Sequence, residues 1–172
     1  MPQQQNSLFG LLKSLAESNS QFIVVGGLAA VLHGAPVHTY DVDIVYARTP
    51  ENIARLIEVL ASLDAIFRIQ PERKLRPTES HLSGSGHLNL LTRNGPLDLL
   101  ATIGDGLSYQ NLLPHSSKMD LGHGVQIQVL NLEKLIEVKE QLAGDKDIAV
   151  LPVLRHTLNE WKRQRNPPKT QS

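Results

Sequence analysis

The 172-residue sequence predicts an α/β (α+β) fold: a small mixed β-sheet with helices on one side, followed by C-terminal helices. Three observations predict it. The apolar run at 21–25 reads as a buried strand, 41–46 as a second strand, and 125–130 alternates cleanly with the two-residue period of strands. Leu8, Leu11, Leu12 and Leu15, and later Ile53, Leu56, Ile57 and Leu60, recur at helical spacing. Asn94-Gly95, set between the apolar stretches 87–92 and 96–102, is a hairpin signal.

Taken in order, residues 7–18 read as an amphipathic helix lying over the sheet, and 21–25 as a buried strand. Gly26-Gly27 then leads into a short apolar helix over 28–33. After the second strand at 41–46, Thr49-Pro50-Glu51 opens a helix: a capping hydroxyl, proline at the first position and an acid in the first turn. A third strand is expected at 65–69. Residues 70–86, polar and rich in Pro and Gly, read as a mobile loop overhanging the functional face. Asn131 is expected to cap a helix running to Ala143, Gly144 to interrupt it, and 146–164 to be helical again. Residues 1–165 thus form one domain, and 166–172 a disordered tail.

Composition narrows the function classes. Seventeen basic and seventeen acidic side chains balance to zero net charge, which lends no support to a nucleic-acid partner, since phosphate neutralisation dominates that affinity. With no cysteine, disulfides and thiolate metal sites are excluded. The opening Met1-Pro2-Gln3-Gln4-Gln5-Asn6 lacks a signal-like pattern and no run reaches membrane-spanning length, so a cytoplasmic location with no membrane partner is expected.

The residues that carry chemistry are Asp41 and Asp43, with thirteen residues separating Asp41 from Gly27. Alternation along a strand points both carboxylates the same way. Side by side they repel unless a cation neutralises them, and a hard divalent ion with oxygen ligands, Mg2+ foremost, answers that geometry. The bland alternative is a solvated edge-strand pair. Glycines before a helix allow close approach of a phosphate, or merely a tight turn. Asp98, between Leu97 and Leu99, is a carboxylate inside an apolar strand, costly to bury without a partner.

This order of elements resembles the nucleotidyltransferase superfamily that shares the DNA polymerase beta fold. Its motif is a hydrophobic residue, Gly-Gly or Gly-Ser, a gap, an Asp-hydrophobic-Asp pair and a third carboxylate on a later strand. Gly26, Gly27, Asp41, Asp43 and Asp98 occupy those places. The stretch from Leu132-Glu133-Lys134-Leu135-Ile136 to Lys139, followed by Gly144-Asp145-Lys146-Asp147, is similar to small bacterial nucleotidyltransferases related to abortive-infection toxins. The likeness spans about residues 20 to 160. Two cations usual in that group are missing: Val37 and His38 stand near the place of an arginine before the first Asp, and Gly144-Asp145-Lys146-Asp147 is shorter than the usual Gly-Arg-Pro-Lys-Asp.

The resemblance implies a nucleotidyltransferase-like sheet and transfer of a nucleoside monophosphate from a nucleoside triphosphate such as ATP to an acceptor hydroxyl, with release of pyrophosphate. It implies that two Mg2+ ions share Asp41 and Asp43, that Asp98 completes the site nearest the attacking oxygen, and that Gly26 and Gly27 hold the terminal phosphates. The acceptor stays open between a tRNA end, a protein hydroxyl and a small molecule. The alternative is a catalytically weak or inactive nucleotide-binding protein, or the regulatory partner of a toxin–antitoxin pair. His38 is a candidate contact for phosphate or acceptor, and Lys139 and Lys146 for nucleotide, although exposed lysines and helix-start residues are the commoner outcomes. His33 reads as a packing histidine, and Arg73, Lys74 and Arg76 as solvated loop charges.

Overall fold

In the computed structural model, which describes residues 2–142 and 144–167, nine strands and seven α-helices are present among the described residues. Seven strands form one sheet, in the order β3 (Ile66–Phe67), β4 (Leu88–Thr92), β5 (Gly95–Leu100), β2 (Val42–Tyr46), β1 (Phe22–Val25), β9 (Gln126–Leu130) and β8 (Ser116–Asp120). The β2–β5 and β1–β9 pairs are parallel and the others antiparallel, so the sheet is mixed, as expected. A separate small hairpin pairs β6 (Thr102–Ile103) with β7 (Leu107–Ser108).

Helix α1 (Pro2–Glu17) buries Leu11, Leu12 and Leu15 against the core and meets α3 (Pro50–Ser62). The start of α3 is built as its sequence dictates: Thr49 is extended and its side chain accepts from the Asn52 backbone N–H, with Pro50 at the first position. Helix α2 (Gly26–Leu32) packs on α6 (Leu132–Leu142), which pairs in turn with α7 (Asp145–Arg165). Between β7 and β8 lies the short α5 (Tyr109–Leu112).

The far end of β2 is stapled by buried polar groups. Asn52, 1 % exposed, accepts from the Gln21 N–H at 2.6 Å and donates to the carbonyls of Gln21 at 2.9 Å and Ala47 at 2.7 Å. One amide thus satisfies three backbone groups where β1 begins and β2 ends. Tyr46 donates its hydroxyl to the Leu82 carbonyl at 2.7 Å.

Several expectations are corrected here. Segment 70–86 is a built feature: a 3-10 turn at Pro71–Arg73 precedes α4 (Glu79–Ser83), which is started by a reciprocal cap between Thr78 and His81. Leu82 is fully buried, and hydrogen bonds from the Phe67 N–H to the Leu75 carbonyl at 2.8 Å and from Arg48 to the Gly84 carbonyl at 3.0 Å also tie the polar segment down. Phe67 meets the His81 ring edge-on at 4.9 Å, and α4 packs on α3. The third strand is two residues long rather than five, and the hairpin turns at Arg93-Asn94, with Gly95 (φ +117°) as the first residue of β5. Asn131 stands immediately before α6, as expected, its carbonyl accepting from the Leu135 N–H at 2.9 Å and its side chain from the Ser117 hydroxyl at 2.6 Å. Ala143 and residues 168–172, most of the expected tail, lie outside the described residues.

Candidate active site

Sheet register places the acidic residues in one row. Arg68 donates its N–H to the Asn89 carbonyl at 2.9 Å, one residue beyond β3; Asn89 pairs with Asp98, Asp98 with Asp43, and Asp43 with Val25. Residues opposite one another across a sheet project from the same face, so Arg68, Asp98 and Asp43 face one another there. Their neighbours Val42, Leu97, Leu90 and Phe67 project from the other face, with Val42, Leu97 and Leu90 in the core. Because Phe67 carries the α4 contact, α4 lies on the face away from the carboxylates. The expected overhang of that segment is therefore not found.

The carboxylates differ in setting. Asp43 and Asp98 stand opposite each other on adjacent parallel strands. Burial foremost, then the neighbouring carboxylates of Asp98 and Asp41, push the Asp43 carboxyl from 3.8 up to about 7, with Arg68 pulling the other way. Asp41 lies just before β2, its carboxylate 3.8 Å from the Arg68 guanidinium, whose other Nη is 2.7 Å from Asp98 Oδ1. The three acids thus share one face, with two in contact and the third joined through Arg68. No three acidic, histidine or cysteine side chains among the described residues enclose a metal position as they stand.

The donor chemistry, oxygens alone, is of the kind hard divalent ions take, while burial, followed by the neighbouring acids, drives Asp43 toward its protonated form. Gly26 has φ +66°, and a Cβ there would run into the Asp43 carboxylate, so backbone and acid approach as only glycine allows. A Cβ on Gly27 would meet Thr39 Oγ1 at 3.2 Å. Thr39, which also donates to the Asp41 carbonyl at 3.1 Å, braces the approach to the first acid.

The other candidates are dispersed. His38 is exposed on the loop before Asp41. His33 bonds the Leu130 carbonyl at 2.8 Å through Nε2, tying α2 to β9 as a packing histidine. Lys139 pairs with Asp147 at 3.3 Å and joins α6 to α7, while Lys146 is exposed at the start of α7. Sequence reasoning missed Arg68 and Thr39. A threonine two residues before Asp41 was a readable local signal; Arg68 offered none, because only the pairing of three strands brings it to the acids. A cleft of about 330 Å³ lined by residues including His33, Ser117, Asn131, Trp161 and Arg165 contains none of the three carboxylates.

No helix among the described residues is long and apolar enough to cross a membrane. No family model matches the chain, and no curated protein matches it. Among solved structures, TM1012 from Thermotoga maritima, described as a "putative nucleotidyltransferase", superposes with a TM-score of 0.56 at 20 % identity, covering 92 % of this chain and 94 % of that one. The two chains share a fold over nearly their whole lengths, and this chain therefore has a nucleotidyltransferase-like mixed α/β architecture.

Proposed function

We propose that this chain is a metal-dependent nucleotidyltransferase, moving a nucleoside monophosphate from a nucleoside triphosphate to an acceptor hydroxyl. The observation that carries the reading is the Asp43–Asp98 pair, held in register on adjacent parallel strands, with the buried Asp43 packed against a glycine whose missing side chain lets backbone and acid approach. Asp41, Asp43 and Asp98 would hold Mg2+. When bound, the metal supplies positive charge that offsets charge on the entering and leaving oxygens. The backbone at Gly26 and Gly27 receives the terminal phosphates. The acceptor oxygen forms its bond to the α-phosphorus as the bond to the β-phosphate oxygen breaks, pyrophosphate leaves, and the hydroxyl proton passes to the carboxylate cluster. Within this reading His38 and Thr39 border the approach to Asp41, and Lys139 and Lys146 serve the helical pair or a distal phosphate.

A second reading keeps nucleotide binding without transfer, either as a sensor or as the regulatory half of a toxin–antitoxin pair. The contact of Arg68 with both Asp98 and Asp41 favours it, since a cation already sits where a metal is needed. The test is incubation with each α-labelled nucleoside triphosphate and Mg2+, measuring pyrophosphate release and label on candidate tRNA, protein and small-molecule acceptors. Transfer that disappears in Asp43→Asn supports the enzyme. Nucleotide binding with no pyrophosphate released under any acceptor supports the second reading instead.

A further inference from the structure

The cleft of about 330 Å³ between edge strand β8, the start of α6 and the last turns of α7 has no part in the mechanism above, and its lining is chemically mixed. Trp161, 40 % exposed, supplies an aromatic wall, with the Arg165 guanidinium 4.0 Å from the ring centroid. The second cation is Lys118 on β8, exposed and, like Arg165, without an acidic partner among the described residues. Glu133, the acid in the lining, is answered by Lys162 at 3.4 Å, so the charges of Lys118 and Arg165 stand unopposed. Two half-buried polar side chains also line the cleft with unused capacity. His33 bonds through Nε2 to the Leu130 carbonyl, which can only accept, so the neutral ring keeps Nδ1 as an acceptor. Asn131 takes the Ser117 hydroxyl on Oδ1, which leaves its amide NH2 as a donor. An indole is a stacking platform for a planar ring, and a donor beside an acceptor matches the edge of a nucleobase. Two cations suit a phosphomonoester, whose charge at pH 7 is about −1.5 to −2.

We infer that this cleft is a second ligand site that takes a nucleoside monophosphate without a metal: the base against Trp161, its edge on Asn131 and His33, and the phosphate on Lys118 and Arg165. The volume suits one nucleotide, since small-ligand pockets begin at about 300 Å³. A polynucleotide is disfavoured by a chain of zero net charge. The site stands apart from the proposed transfer, because the cleft contains none of Asp41, Asp43 and Asp98.

Trp161 is the single tryptophan of the chain, so its fluorescence reports on this cleft. The test is titration of the full chain, kept free of divalent ions by EDTA, with each of the four ribonucleoside monophosphates, their nucleosides and inorganic phosphate, followed by that emission and by calorimetry. At least one monophosphate should change the emission saturably with a Kd below about 1 mM, and its nucleoside and inorganic phosphate should each bind at least about tenfold more weakly. Lys118→Gln and Arg165→Gln, each folded by circular dichroism, should each weaken the monophosphate about tenfold, the loss of one charge-assisted contact. No saturable change with any of the four overturns the inference. So does a nucleoside that binds as tightly as its monophosphate, or a monophosphate whose affinity survives both substitutions and which therefore binds elsewhere on the chain. Each of these outcomes leaves the transfer reading standing, since its own test measures pyrophosphate release in the presence of Mg2+.

Discussion

The two ends of β2 solve opposite problems. At the Tyr46 end, every buried polar group named above has its partner: Asn52 closes three backbone bonds, Thr49 caps α3, and the Tyr46 hydroxyl meets the Leu82 carbonyl. At the Asp43 end, like charges are pressed together, a glycine is held at positive φ, and an arginine carries an unpartnered buried nitrogen. Buried polar groups that are satisfied specify a fold, whereas groups left in conflict cost stability and mark a site kept for another purpose. One five-residue strand thus carries a satisfied end and a strained, acidic end.

The sharpest way to break that contrast is to substitute at each end and ask which property changes. Asp43→Asn should cut transfer by about 100-fold or more, since losing even a residue that only orients a metal ligand costs ~10–100-fold. Its melting temperature should stay level or rise, because the change removes repulsion at nearly constant volume. Full activity, or unfolding, counts against the assignment of Asp43. Leu82→Ala should do the reverse. Removing a fully buried leucine costs ~2–5 kcal/mol, and each kcal/mol lowers the melting temperature by about 2–4 °C in a chain of this size. Affinity for nucleotide, measured by calorimetry, should be unchanged in Leu82→Ala. A weakened nucleotide site would place α4 in the mechanism after all.

Asn52→Ala tests the same end with a smaller expected effect. It strands the Gln21 N–H and the Ala47 carbonyl at the β1–β2 corner, while the Gln21 carbonyl keeps the Ala47 N–H at 3.1 Å, and leaving buried groups unpaired costs roughly 1–3 kcal/mol. Urea unfolding should show a lower midpoint with the slope unchanged. A midpoint equal to that of the wild type would mean that water replaces the amide.

How far the sequence revealed these two ends depended on the range of the interactions. Gly26, Gly27, Asp41 and Asp43 lie within eighteen consecutive residues, so strand period and turn chemistry expose them. Asp98 was readable as an acid between leucines on a strand. Thr49-Pro50 announced its helix because capping is local. Arg68 was not legible: it reaches the acids through the register of β3, β4 and β5, which no local period encodes. Strand β8 was missed because Ser116–Asp120 is a mostly exposed edge strand with little apolar alternation. Helix α4 was missed because a single buried leucine anchors an otherwise polar segment.

The smallest expected effect is a pH dependence that belongs to one end alone. Asp43 has an ordinary carboxyl value of 3.8 when unfolded and about 7 when folded. Because the folded chain holds this proton more tightly, the contribution is fully present below 3.8 and is lost as the pH rises through 7. The ionised form is what burial and the neighbouring acids oppose, and Arg68 offsets part of that opposition. After solvent screening at this partly open site, an effect on the order of 1 kcal/mol is expected, or about 2–4 °C in melting temperature. Other groups titrate over the same range, so the informative quantity is the difference between wild type and Asp43→Asn, both without metal, at pH 4.5 and pH 8. Wild type should lose more stability than the variant over that interval, and saturating Mg2+ at pH 8 should close the gap by supplying the missing positive charge. Parallel curves for the two proteins would show that the acidic end carries no strain, and the contrast between the ends of β2 would reduce to one of polarity.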